Sequence, residues 1–139
     1  MVPRTRVDKV VWLRERAEDG ALASLARARA ELDRAREQVA RAAEAAQVDT
    51  RVAGRVELWL LDDDGHRRAL QALSSARGAA HQALSLETAA RDGYSAARQG
   101  TEAVRRVQGR RRAEIVAEVS RRERLGLDEI ATLRFNAAR

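Results

Sequence analysis

The chain reads as all-α: two long helices folded into an antiparallel coiled-coil hairpin. Three observations predict this. Apolar residues recur at alternating steps of four and three in two separate stretches, the heptad pattern of a coiled-coil seam. The one strong turn signal, "LLDDDGH" at 60–66, divides the 139 residues into nearly equal arms. The composition is rich in Ala, Arg, Glu and Leu and only 3% aromatic, which suits long helices and not a globule with a thick core. Of the 45% hydrophobic residues alanine supplies much. Alanine buries little area, so stability must be spread along a seam.

Helix 1 is expected from about residue 5 to 61. Thr5 and Asp8 stand in the Thr-x-x-Asp arrangement of a capping box, and an acid in the first turn complements the helix dipole. The seam that follows is Ala21, Leu25, Ala28, Leu32, Ala35, Val39, Ala42 and Ala46. Extrapolated backwards it meets Val11 and Val7 but also Arg14 and Glu18, which predicts looser pairing near the N-terminus. Gly54 and the β-branched Val48, Val52 and Val56 weaken the far end, so helix 1 frays or kinks from about residue 48. The reversal is placed at 62–65, because Asp-Gly is a turn dipeptide and aspartates cap a following helix.

Helix 2 is expected over about 66–135. Ala69, Leu73, Ala76, Ala80 and Ala83 carry the heptad, Glu87 interrupts it, and Ala90, Tyr94, Ala97, Thr101 and Val104 resume it. Gly93, Ala97 and Gly100 leave either a surface that admits a close helix or simply a weaker stretch. The whole chain is then a single hairpin domain, 1–139, with the turn at one end and both termini at the other.

Much chemistry is excluded. With no cysteine there is no disulfide or thiolate metal site. Asp62–Asp64 lack a further ligand at suitable spacing, so the turn reading is preferred to a metal. His66 and His81 are too far apart to share a site, and the serines have no His/Asp company. No phosphate loop or zinc motif is present. A two-helix rod offers no small-molecule pocket. The expectation is a protein that is not an enzyme and needs no cofactor, metal or small-molecule substrate. The longest aliphatic or aromatic run, 58–61, is far short of a membrane span, and "MVPRTRVDKV" has no apolar secretory core. The expected location is the cytoplasm.

The net charge is +6, nearly all of it arginine. Residues 105–124 hold eight arginines against three glutamates, a surface that favours an acidic partner. Nucleic acid is disfavoured as that partner. The arginines spread around the helix, acids interrupt them, and no aromatic between 95 and 134 is available to stack on bases.

Two segments, "LRERAEDGALASLARARAELDRAREQV" and the terminal "RRERLGLDEIATLRFNAAR", make the chain resemble the FliJ/YscO family of flagellar and virulence type III export. That resemblance implies a stalk-like rod. It would enter the hexameric export ATPase, promote its assembly and activity, and link it to the membrane export gate; some members also bind export chaperones. It implies a cytoplasmic protein held peripherally at the inner-membrane export apparatus. The termini end would face the ring, through Arg121, Arg122, Glu123, Asp128, Glu129 and Arg134, with Arg14 and Arg16 of helix 1. The gate would be met by Gln38, Ala42, Ala45 and Asp49, although this stretch lacks the tyrosines often found there. The competing readings are a generic coiled-coil scaffold that dimerises and, less favoured, a basic nucleic-acid-binding rod.

Overall fold

The structure, a computed structural model, describes residues 3–47 and 56–138, with the side chain of Glu57 left out. It holds two helices, α1 (Val7–Ala45) and α2 (Val56–Ala137), packed against each other, with no strand among the described residues. The helical hairpin expected from the heptads is therefore the fold.

The start of α1 is built on the Thr5–Asp8 signal. The Thr5 N–H donates to Asp8 Oδ2 (3.0 Å) and the Thr5 hydroxyl donates to Asp8 Oδ1 (2.7 Å). The carboxylate thus serves one backbone donor that the helix cannot satisfy itself.

The reversal is not where the sequence placed it. Helix 1 does not reach residue 61, and 62–65 are not a turn: α1 stops at Ala45, and Asp62–Gly65 lie inside α2. Asp-Gly favours a turn only locally. Here strong helix formers flank it, and Arg68 holds Asp64 one turn back at 2.7 Å. A glycine inside a helix costs on the order of 1 kcal/mol, which so long a helix absorbs. The sequence also marks Gly54 and the valines around it as a weak stretch. Val48, Asp49, Val52 and Gly54 themselves fall outside the described residues.

The chain divides into two compact units, Gly20–Ser95 and Met1–Asp19 with Ala96–Arg139. Each holds a stretch of α1 beside an antiparallel stretch of α2. In the Gly20–Ser95 unit the predicted seam is the core. Leu25, at 3% exposure, is its most buried aliphatic side chain, followed by Leu32, Ala35, Ala46 and Leu73. Ala21, Ala28, Val39 and Ala42 on α1, and Ala69, Ala76, Ala80, Ala83, Ala90 and Tyr94 on α2, are half-buried beside them. Every heptad position read from the sequence in this unit is at least partly covered.

Glu87, the residue that interrupts the pattern, is also in the seam, at 3% exposure. Its Oε1 accepts from Arg91 (2.8 Å) on its own helix and from Arg29 (3.4 Å) on α1. The Arg91 hydrogen bond, more than that of Arg29, holds its carboxyl below the usual carboxylate range. A carboxylate so covered is tolerable only because it is paired. The pairing also fixes register: Arg29 faces Glu87, where a reversal at 62–65 would have set it near Arg98.

Candidate functional site

In the unit formed by Met1–Asp19 and Ala96–Arg139, α1 and α2 are held together more by polar pairs than by aliphatic side chains. Val11 is buried, and Thr101 opposite is fully buried. The Thr101 hydroxyl lies 3.1 Å from the Ala97 carbonyl and 3.3 Å from the Arg14 carbonyl, so it bridges the two helices. Glu15 Oε1 accepts from both Nε (3.1 Å) and a terminal nitrogen (2.7 Å) of Arg105. Asp8 Oδ1 accepts from Gln108 (2.7 Å) and Arg112 (3.2 Å). The seam does turn polar here, as its sequence indicates, but ion pairs and hydrogen bonds span it.

Asp8 is the hub. The Thr5 hydroxyl and N–H, then Gln108 and the Arg112 guanidinium, hold its carboxyl well below the ordinary range. A depressed carboxylate contributes stability above its unfolded pKa of about 4, and that stability is lost as pH falls through the folded value. Asp8→Asn is therefore expected to lower the melting temperature at neutral pH. It should also flatten the loss of stability on acidification below about pH 4. Thermal melts by circular dichroism across pH check both.

α1 ends its cover of α2 early. Arg4, Thr5 and Arg6, which precede it, and its first residue Val7 line an open hollow with Arg111, Glu114 and Ile115 of α2. Beyond Ile115, α2 continues to Ala137, and residues 116–138 are exposed except for half-buried Glu118 and Gly126. The hydrogen bonds found here run along the helix itself. Arg121 and Arg122 both hold Glu118, at 3.0 and 2.8 Å, and Thr132 donates to the Asp128 carbonyl. Those two arginines, Arg121 first, pull the Glu118 carboxyl below its usual range.

This stretch carries an aliphatic stripe. Ile115, Val119, Gly126, Ile130, Leu133 and Ala137 follow one another at steps of four, seven, four, three and four, the spacing of one helix face. Ile130 and Leu133 are 50% and 64% exposed. The surface is thus a charged helix with a bare apolar face, made to be covered.

The family model described as Flagellar FliJ protein matches residues 3–139. The chain belongs to the FliJ family. No curated protein and no solved structure matches it significantly. Membership makes this FliJ-family chain a component of flagellar type III export.

The ring-facing residues that the resemblance suggested fall in two places. Arg121, Arg122, Glu123, Asp128, Glu129 and Arg134 all lie on the uncovered part of α2. Arg14 and Arg16 do not join them. Arg14 lies across Gly100, where a Cβ would sit 3.4 Å from its guanidinium nitrogen, and Arg16 stacks over Trp12 at 5.0 Å from the ring centre. From Thr101, beside Arg14, to Arg121 is roughly 30 Å of helix at 1.5 Å per residue. Of the suggested gate residues, Gln38 lines an open alanine-rich groove of about 370 Å³ with Ala35, Ala79 and Ala83. Ala42 is half-buried among the seam positions, Ala45 is exposed, and Asp49 is outside the described residues.

The aliphatic stripe was missed in the sequence because no apolar residue continues it between Val119 and Gly126, where Arg122 and Glu123 flank the face. The signal was there in Ile115, Val119, Ile130 and Leu133, in step with the seam that ends at Val104 and Gln108. Among the described residues no cluster of side chains could hold a metal, and no helix is long and apolar enough to cross a membrane.

Proposed function

We propose that the chain is a central-stalk-like element that enters the hexameric ring of the flagellar export ATPase, promotes its assembly and hydrolysis, and connects it to the membrane export gate. It acts without catalysis of its own, in the cytoplasm, peripherally at the inner-membrane export apparatus. The observation that carries this reading is the uncovered end of α2 in a FliJ-family chain. A single helix, carrying an exposed aliphatic stripe among charged residues, extends past the last residue that α1 covers, as an insertion into a ring requires. The alanine-rich groove beside Gln38 is the surface that suits a second contact, with the gate or with an export chaperone.

Charge reversal tests the reading. With Arg121→Glu and Arg122→Glu, three carboxylates at 118, 121 and 122 replace a paired cluster on one turn. Each like-charge pair costs a few tenths of a kcal/mol, too little to unfold a helix of this length. Helicity should remain and stimulation of the export ATPase should vanish. Unchanged stimulation would reject this end of α2 as the ring contact.

A further inference from the structure

We propose that, away from any ring, the uncovered end of α2 pairs with the same segment of a second copy of this chain, antiparallel and centred on Gly126. The inference stands on the seam alone and does not depend on the ATPase reading.

The stripe is continuous with an interface already filled. Thr101, Val104 and Gln108 face α1, Arg112 reaches Asp8, and Ile115 lines the hollow at the start of α1. Val119, Gly126, Ile130, Leu133 and Ala137 carry that face onward with nothing from α1 against it. More than five turns of helix with an aliphatic face in water are poorly stabilised by propensity alone. What suits the face is what suits its earlier part: another antiparallel helix.

The spacing favours this chain as its own partner. An antiparallel arrangement with Gly126 against the second copy's Gly126 sets Val119 opposite the second copy's Leu133 and Ile115 opposite its Ala137. Gly126 has open space where a Cβ would be, so two backbones can approach closely there. Arg122 and Glu129 are one heptad apart and flank the stripe on the same side. In an antiparallel pair like flanks meet, so Arg122 of each copy reaches Glu129 of the other, and two-fold symmetry makes the ion pair twice. A parallel pair would instead set this flank against the opposite flank of the second copy, and the Arg122–Glu129 pairs would not form. The ion pairs are therefore available only to the antiparallel direction.

The test is sedimentation of the full chain, with no ATPase present, from micromolar to millimolar concentration. The mass should rise from one chain towards two. Leu133→Asp should keep the chain a monomer with unchanged helicity. Arg122→Glu or Glu129→Arg alone should weaken the dimer about tenfold, from lost and reversed flanking charges. The double exchange, Arg122→Glu with Glu129→Arg, should restore it. Direction is read from cross-links, because the chain has no cysteine of its own. Mixed Val119→Cys and Leu133→Cys chains should form the mixed disulfide and not either homodimer. A monomer at all concentrations, homodimer cross-links, or no restoration in the double exchange would overturn the proposal.

Discussion

Ile130→Asp combined with Leu133→Asp is expected to abolish stimulation of the export ATPase while leaving a helical, folded chain. Both side chains are more than half exposed or close to it, so their loss removes no core contact and opens no cavity. Surface changes of this kind usually shift stability by less than about 0.5 kcal/mol. Covered by a partner, each aliphatic side chain contributes roughly 1.5–3 kcal/mol. Because each is already partly covered, losing both weakens association by at least about tenfold, at one decade per 1.4 kcal/mol. The carboxylates add a desolvation cost on top. Titration of the variant into the ATPase, with hydrolysis and ring size followed together, reads the effect. A variant as active as the parent would mean that the stripe is not the buried face of the complex. The charge reversal at Arg121 and Arg122 probes the same end through its polar side.

Leu25→Ala is expected to produce the largest loss of stability of any leucine-to-alanine substitution in the Gly20–Ser95 unit. Leu25 is the most buried aliphatic residue, and its neighbours along the seam are alanines that cannot move in to fill a gap. Large-to-small changes at such sites cost about 2–5 kcal/mol. A two-helix seam is thin and can partly close, which places the expected cost near 2–3 kcal/mol. Leu22→Ala, three residues away on the exposed face, should cost less than about 0.5 kcal/mol. Urea unfolding of the pair separates burial from helix propensity, because leucine and alanine are both strong helix formers. Equal losses in the two variants would mean that the heptad face is not the packed face.

The heptads were legible because a repeat of seven has one structural meaning. Ala21 through Ala46 and Ala69 through Val104 could be assigned to a seam from spacing alone, and each is covered. The reversal was misread because a turn dipeptide speaks only for its own few residues. Asp64–Gly65 sits among strong helix formers and an Asp64–Arg68 pair, and the surrounding helix overrides it. That error moved every interhelical partner. It set Arg14 and Arg16 opposite the stretch that follows Gly109, whereas the observed register sets Arg14 against Gly100 and Thr101. Glu87 looked like an interruption because a single helix does not reveal the arginine that approaches from the other, Arg29. The same blindness hid the aliphatic stripe. "RRERLGLDEI" reads as polar in line, and only the helical spacing of Val119, Gly126, Ile130 and Leu133 picks an apolar stripe out of it.

The central claim is that the uncovered end of α2 is the part of this flagellar FliJ-family chain that engages the export ATPase. The most direct measurement mixes the purified full chain with the export ATPase of the same organism and follows ATP hydrolysis and ring size against chain concentration. Saturable stimulation accompanied by hexamer formation, lost in the Ile130→Asp, Leu133→Asp variant, is the predicted result. No change in hydrolysis or ring size, with the chain helical and the ATPase active, would contradict it.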